Sequence, residues 1–281
     1  MATHSESAQA IERFHLTFLR VLSAALRPSQ FVLKGGANLR YFFGSPRYSN
    51  DIDLDSRVRE GWRLEEVVDG VLKGQALSTI LATGGIALAE FSKPKQTETT
   101  QRWKVALAGA LAAEVHTKIE FSTRKGDQRL VAEQIPRSLV ARYGLEPPIV
   151  QRYTLAPMLE QKVKVLALRG ETQARDIFDL DLLFRERGKE TDPASIVTEY
   201  ADAARARARE PPYPSFESQV LPFLEPAIAE LYPPSRWAAM KLFVSEEIAA
   251  LDRAEDGASS PAARDGLPRT NSKGGRPGLH R

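Results

Sequence analysis

The sequence predicts an α/β (α+β) fold in which a mixed sheet with helices forms the first half of the chain and helices alone form the second. Apolar and polar residues alternate, as in strands with one buried face, at residues 51–55, 86–91, 102–107 and 115–121. From about residue 156 onward the apolar residues recur at helical spacing instead. With 281 residues and 42% hydrophobic side chains, the chain is long enough for one large domain or two modest ones.

The elements of the first half follow one another in short steps. Apolar residues at helical spacing over residues 11–26 predict an opening helix. The apolar run 31–33 predicts a short strand, and the pair Gly35-Gly36 separates it from a short helix. A longer amphipathic helix is predicted over residues 63–81, and the three alternating segments that follow it are predicted to be adjacent strands of one sheet.

The second half is predicted to be helical, and its start defines the predicted domain boundary. The core is assigned to residues 1–155, a helical domain to 156–251 and a flexible tail, rich in Gly, Pro, Ser and charge, to 252–281. The candidate helices cover residues 156–168, 174–185, 193–209, 216–231 and 235–251.

Composition narrows the class of protein. Without cysteine there is no disulfide, thiolate metal site or cysteine nucleophile, and the four histidines are too dispersed to predict a histidine metal site. The net charge of +3 permits a nucleotide or nucleic-acid partner without requiring one. The charged start is unlike a signal peptide and no apolar run is long enough for a membrane span, so we expect a soluble, cytoplasmic protein with no membrane partner.

Two short segments carry the predicted chemistry. Gly35 and Gly36 let backbone N–H groups approach a phosphate at a helix start, which predicts a triphosphate cradle. Asp51 and Asp53 are two residues apart on a strand, so their carboxylates emerge on one face and suit shared Mg²⁺ ions. Two like charges side by side repel unless a cation neutralises them. Alone, such a pair is often only the solvated face of an edge strand; its position after a Gly-Gly turn and a helical spacer favours a site.

These segments resemble the AbiEii/AbiGii-type toxin family of the nucleotidyltransferase superfamily. The family pattern is Lys-Gly-Gly-Thr-x-Leu followed by Arg-x-Ser-x-Asp-Ile-Asp-Leu, and the chain has LKGGANL at 33–39 and RYSNDIDL at 47–54, with Ala37 in place of the threonine. A second family element, a lysine helix and an Arg-Asp-x-x-Asp-Leu helix, is matched by Lys162, Arg169 and residues 175–180. The resemblance therefore covers about residues 31–184 and implies a nucleotidyltransferase-fold core.

The resemblance also implies roles for residues of the second half. Lys162 is expected to contact the triphosphate or the transition state, and Asp176 to belong to the active site, although both also fit ordinary charges on a helix surface. Superfamily members commonly add a third metal-binding carboxylate from a later strand. Glu120 is the best candidate for it, unless it only pairs with Lys118 or Arg124.

Three residues of the first motif are further candidates for nucleotide binding. Ser49 is expected to bond a phosphate oxygen or to brace its loop, or it is simply a turn residue. Arg47 is a candidate phosphate contact that could equally form only a salt bridge, and Lys34 is the least constrained of the three. Arginines at positions 205, 207 and 209 could form a basic nucleic-acid patch, although such a series is more often a solvated helix end.

The sequence thus predicts transfer of a nucleoside monophosphate from an NTP to an acceptor hydroxyl, with two Mg²⁺ ions held by Asp51, Asp53 and Glu120. The resemblance implies a toxin of a type IV toxin–antitoxin or abortive-infection system, controlled by a cognate antitoxin protein, and by analogy the acceptor is RNA such as the 3′ end of tRNA. The alternatives are a small-molecule nucleotidyltransferase of the antibiotic-modifying type, and an inactive binding module that kept the fold.

Overall fold

One mixed sheet of seven strands organises the computed structural model, which describes residues 4–109, 113–123, 129–189 and 199–258. The strands are β1 Phe31–Lys34, β2 Asp51–Ser56, β3 Ile86–Gln96, β4 Thr100–Gly109, β5 Val115–Ser122, β6 Leu130–Gln134 and β7 Ile149–Tyr153. They are ordered β3-β4-β5-β2-β1-β7-β6. The pairs β1–β7 and β2–β5 are parallel and the other neighbours are antiparallel, which confirms the mixed sheet.

Helices surround this sheet and fill most of the second half. Those before residue 155 are α1 His4–Ala25, α2 Gly35–Phe42, α3 Gly61–Lys73, α4 Gln75–Ala82 and α5 Arg137–Ala141. Those after it are α6 Leu155–Leu168, α7 Ala174–Arg187, α8 Ala201–Arg207, α9 Tyr213–Gln219, α10 Pro226–Ala229 and α11 Pro234–Ala258. The predicted α/β (α+β) class with a helical C-terminal half is therefore confirmed.

Several predicted elements were wrong in detail, and glycine and proline explain most of the differences. The helix predicted over 63–81 is two helices, because Gly74 between them has an extended backbone. The helix predicted over 216–231 is broken into α9, a 3₁₀ turn and α10, because Pro222 and Pro226 cannot continue a preceding helix. The strands β6 and β7 were missed because prolines surround them.

The C-terminal predictions are only partly covered by the described residues. Of the helix predicted over 193–209, α8 is described, whereas residues 190–198 lie outside the described ranges. Helix α11 continues to Ala258, seven residues into the segment assigned to a tail, and residues 259–281 lie outside the described ranges. The domain boundary near residue 155 stays a prediction.

Two hydrophobic clusters lie on opposite faces of the sheet. The first packs α1, α3 and α4 against strand residues such as Ile52 and Leu54, and the second joins α6, α7 and α11 to Val32 and Tyr153. Because side chains alternate along β2, the buried Ile52 and Leu54 send Asp51 and Asp53 to the face of the second cluster. The carboxylates therefore face the C-terminal helices. None of the helices in the described ranges combines the length and apolarity that a membrane span needs.

Candidate active site

A cavity of about 340 Å³ lies where the carboxylate-bearing face of the sheet meets the C-terminal helices. Polar and charged side chains dominate its wall. The lining residues are Gly35, Gly36, Arg47, Ser49, Asn50, Asp51, Asp53, Arg102, Lys118, Glu120, Lys162, Arg169, Arg175, Asp176, Gln219 and Phe223. Every site residue predicted from the sequence lines this cavity, with the exception of Lys34.

The Gly-Gly turn lies directly against the carboxylate strand. Gly35 has a φ of +64°, and a Cβ atom there would lie 2.8 Å from Oδ2 of Asp53. A Cβ atom on Gly36 would lie 2.6 Å from Oγ of Ser49, a residue whose hydroxyl donates to the carbonyl of Asp51 at 2.7 Å. The positive φ favours glycine at position 35, whereas a side chain at position 36 would displace the hydroxyl of Ser49, and the N-terminus of α2, with its free N–H groups, lies beside Asp53.

The three predicted metal ligands share one face of the sheet, since Asp53 pairs with Glu120 across β2 and β5. Two of them already have cationic partners. Lys118 Nζ lies 2.8 Å from Asp51, and the Arg102 guanidinium lies 2.6 Å from Glu120. Asp53 differs: burial, together with the neighbouring charges of Asp51 and Glu120, raises the pKa of its carboxyl. A cation that reached Asp53 would be strongly stabilised.

The site residues have the chemistry that a divalent metal needs, but their side chains are not arranged as a complete set of ligands. Among the residues that the structure describes, no three histidine or carboxylate side chains are close enough together to hold an ion as they stand. Carboxylate oxygens are nevertheless the donors that Mg²⁺ prefers, and those of Asp51, Asp53 and Glu120 lie on one face of the sheet. Binding a metal would require Lys118 and Arg102 to release Asp51 and Glu120.

The opposite wall is built around a buried carboxylate, Asp179. The Arg47 guanidinium donates to both its oxygens at 3.0 and 3.1 Å, and Lys162 Nζ lies 2.6 Å from it. Burial opposes ionisation, but the charges of Arg47 and Lys162 outweigh it and hold the pKa of Asp179 below its usual value. Asp179 therefore fixes two cations at the cavity wall, and the salt-bridge alternative for Arg47 is the one observed.

Asp176, also buried, extends this network along α7. It lies 3.4 Å from Lys162 and 3.1 Å from Arg169. Arg169 is not on the same helical surface as Lys162, because α6 ends at Leu168 and Arg169 has an extended backbone.

Lys34 does not line the cavity, although it is opposite Asp53 in the sheet and its charge opposes the rise in the pKa of Asp53. Its ammonium pairs with Asp55 at 2.5 Å and also contacts the hydroxyl of Ser122, while Tyr153 donates to the same aspartate at 2.5 Å. Through these contacts, Lys34 links the strands β1, β2, β5 and β7 inside the protein.

The loop that leads into β2 is held from two sides. The backbone N–H of Tyr48 donates to the carbonyl of Phe223 at 2.8 Å, and its hydroxyl donates to Glu225 at 3.0 Å. On the other side, the buried His15 of α1 bonds Thr117 at 2.7 Å, and Thr117 donates to the carbonyl of Asn50 at 2.7 Å. The backbone immediately before Asp51 is therefore fixed by both halves of the chain.

Several cavity residues were not singled out from the sequence. Arg102 and Lys118 stand at polar positions of alternating strands, but nothing local indicates which carboxylates they meet. Gln219 and Phe223 fell inside a wrongly predicted helix. Asp179 itself does not line the cavity, but it holds Arg47 and Lys162, which do. Its position three residues after Asp176 on the same face of α7 was a usable signal.

Comparisons with known proteins identify the family and support the fold. A protein-family model described as the nucleotidyl transferase AbiEii toxin of type IV toxin–antitoxin systems matches residues 17–259. The structure of JHP933 from Helicobacter pylori, 18% identical, superimposes with a TM-score of 0.54 and covers 91% of this chain and 99% of that chain. The structure of MenT4, a nucleotidyltransferase toxin from Mycobacterium tuberculosis H37Rv, is 17% identical, has a TM-score of 0.53 and covers 91% of both chains. No curated protein matches the sequence significantly.

Proposed function

The chain belongs to the AbiEii family of nucleotidyl transferase toxins of type IV toxin–antitoxin systems, and on that premise we propose that it moves a nucleoside monophosphate from an NTP to an acceptor hydroxyl. The acceptor oxygen forms a bond to the α-phosphorus, the bond to the bridging oxygen breaks, and pyrophosphate leaves. The observation that carries the proposal is the contact between the Gly-Gly turn and Asp53. Phosphates bound at the start of α2 would lie beside the carboxylates.

The triphosphate is assigned to the cationic and N–H-rich parts of the cavity. The N–H groups of Gly35 and Gly36 and the hydroxyl of Ser49 approach the phosphates from one side. Lys162, held by Asp179, approaches from the other and offsets the charge that develops on the leaving pyrophosphate. Arg47 supplies a second positive charge at the same wall, whereas Lys34 acts only by holding β2 in place.

Divalent metal is assigned to Asp51, Asp53 and Glu120. When bound, Mg²⁺ would polarise the α-phosphate and neutralise charge between attacking and leaving oxygens. The contribution of the chain is to present oxygen ligands on one sheet face. Lys118 and Arg102 neutralise two of them until substrate arrives.

The acceptor is proposed to be RNA, such as the 3′ end of tRNA, by analogy with toxins of this type. Such a reaction would block a cellular RNA and so account for toxicity, and a cognate antitoxin protein would oppose it. Amino groups and hydroxyls of small molecules are alternative acceptors that the same carboxylates could serve, so an experiment must identify the acceptor.

The test is transfer of label from each of the four NTPs in turn to total tRNA, with and without Mg²⁺. We expect labelled tRNA with one or a few NTPs, and we expect chelation of the metal to abolish the product. Asp51→Ala should remove both the transfer and the growth inhibition caused by overexpression, while Asp202→Ala, a substitution on α8 outside the cavity, should leave both intact. Unchanged toxicity of Asp51→Ala would contradict the proposal, and label found only on small molecules would contradict the RNA acceptor.

A further inference from the structure

The sheet face that carries the carboxylates continues past the cavity across β5, β4 and β3. The register gives two rows of side chains on this face. Asp53 is opposite Glu120, which is opposite Arg102, which is opposite Lys95. Residues that pair directly across strands lie on the same face, so Lys95 shares the face of the carboxylates.

The second row begins at the other carboxylate. Asp51 is opposite Lys118, which is opposite Lys104, which is opposite Ser92. We call Arg102, Lys118, Lys95 and Lys104 the cationic strip. It begins at the carboxylates of β2 and ends at the edge strand β3, and the next row along this face carries Glu90 opposite Ala106.

The strip has an engaged part and a free part. Arg102 and Lys118 pair with Glu120 and Asp51 at the cavity. Lys95 and Lys104 are exposed, and neither forms an ion pair or side-chain hydrogen bond with any other residue in the described ranges. On the opposite face of β3, by contrast, Lys93 pairs with Glu65 and Asp69 of α3. The two free cations therefore extend the positive surface away from the site with no internal partner.

The dimensions of the strip match a short stretch of nucleic-acid backbone. Neighbouring strands are about 4.8 Å apart, so the three spacings from β2 to β3 span about 14 Å. A stacked strand rises about 3.4 Å per nucleotide, so this length accommodates about four nucleotides. An NTP in the cavity does not reach Lys95 or Lys104, because neither residue lines the cavity.

Two of the three arginines in the basic series at 205, 207 and 209 are engaged within the fold. Arg207 of α8 donates to the carbonyl of Arg169, and Arg209 donates to the hydroxyl of Ser245 at 3.0 Å. These two arginines support the C-terminal helices, so they do not compete with the strip as a binding surface.

We propose that the cationic strip binds the phosphodiester backbone of the single-stranded end of an RNA acceptor and directs its terminal hydroxyl to Asp51 and Asp53. The inference rests on the proposed function, because it assumes an RNA acceptor. Charge complementarity selects this occupant: the carboxylates at one end repel a polyanion, whereas four cations beside them attract it. When the acceptor binds, its phosphates can pair with Lys118 and Arg102. The carboxylates that these two residues hold are then released for the metal.

The test compares two double variants, each of which removes two lysines and therefore the same amount of positive charge. Lys95→Gln/Lys104→Gln removes the free part of the strip, and Lys73→Gln/Lys189→Gln removes two exposed lysines elsewhere. The probe is a labelled single-stranded oligoribonucleotide of about ten nucleotides, titrated at several salt concentrations. We expect about tenfold weaker binding for the strip variant and a fall of about 1.4 in the slope of log K against log salt, since each phosphate contact contributes about 0.7. The control variant and Lys95→Arg/Lys104→Arg should bind as the wild type does.

Transfer kinetics distinguish the role of the strip from the proposed function on which it rests. The strip variant should raise KM for the RNA acceptor while leaving kcat and KM for the NTP unchanged, with an unchanged melting temperature. If the wild type modifies RNA and the strip variant binds and modifies it equally well, the strip is not the acceptor site although the function stands. If the wild type neither binds the oligoribonucleotide nor modifies RNA, the RNA acceptor and the strip are both overturned.

Discussion

Asp53 lines the cavity and is partly buried, whereas Asp179 is completely buried and holds two residues that line it, and the electrostatic situations of the two carboxylates are opposite. Asp179 holds two cations, Arg47 and Lys162, and its pKa lies below the usual value. Burial is the main cause that raises the pKa of Asp53; the charge of Lys34 opposes it, and those of Asp51 and Glu120 add to it. Burial penalises both carboxylates, but only at Asp179 do the cationic partners outweigh it.

The comparison separates a carboxylate with a structural role from one that we propose to be functional. Asp179 stabilises the fold because it pairs with two cations, whereas burial makes ionised Asp53 unfavourable and a bound cation would offset that cost. A site that must bind metal benefits from such an unneutralised group. The following predictions test that division, from the largest expected effect to the smallest.

Asp53→Asn should lower transfer activity by about a thousandfold, in the range found when one catalytic electrostatic contact is removed. The same substitution should raise the melting temperature, because it removes a buried negative charge beside Asp51 and Glu120. The gain should be present at neutral pH and vanish below the ordinary aspartate value of 3.8, where the group is protonated in both the folded and the unfolded state. Activity assays and thermal unfolding check both parts, and a variant that is less stable at pH 7 would contradict the assignment.

Asp179→Asn should have the opposite effect on stability. It leaves Arg47 and Lys162 buried without their anion, which should cost about 3–5 kcal/mol of unfolding free energy in denaturant titrations. Because the pKa of Asp179 is lowered, this contribution is present above the ordinary aspartate value and is lost as the pH falls through the folded-state pKa. The control is Asp181→Asn on the same helix, which breaks a single pair with the exposed Arg185 and leaves no buried cation behind, so it should cost less than Asp179→Asn does.

His15 extends the comparison to a buried base without an ionic partner. Burial lowers its pKa to about 3, so below pH 6.5 the unfolded chain takes up a proton that the folded chain does not. Stability should therefore fall by about 2 kcal/mol between pH 6.5 and pH 5 through this group alone. His15→Gln should remove that part of the pH dependence in parallel titrations of both proteins. An identical pH dependence in the two would show that His15 takes up its proton equally readily in the folded and unfolded chains, which would contradict the lowered pKa.

Gly36→Ala should have the smallest effect and act on the nucleotide side of the cavity. The added methyl group would meet Ser49 and displace its hydroxyl from the carbonyl of Asp51, at a cost of about 1 kcal/mol and about tenfold in NTP affinity. Gly70→Ala on the exposed side of α3 meets no atom within 4 Å and is the control. It should leave NTP affinity unchanged in calorimetry and stabilise the helix by up to about 1 kcal/mol.

Local sequence patterns were sufficient to predict part of the candidate site. The alternation along β2 places Asp51 and Asp53 on one face, and that followed from strand geometry alone. The pairing of Lys118 with Asp51 depends on the register of β5 with β2, a contact between segments more than sixty residues apart that no local pattern encodes.

Backbone breakers account for most of the remaining differences. Helical periodicity continues through Pro222, so a continuous helix was predicted where Phe223 turns back to contact Tyr48. Prolines near 136 and 147–148 suggested a loop, whereas they only flank β6 and β7. Propensity identifies such residues as interruptions, but tertiary packing decides what forms around them.

The contacts of Arg47 with Asp179 and of Tyr48 with Phe223 also bear on when activity can arise during synthesis. A chain growing from its N-terminus at the ribosome has its glycine turn and carboxylate strand long before α7 and the turn at Phe223 have emerged. Until then the loop between them has neither its buried anion nor its carbonyl partner. We therefore expect the cavity wall to be completed only after Phe223 has left the ribosome, when most of the chain has been synthesised.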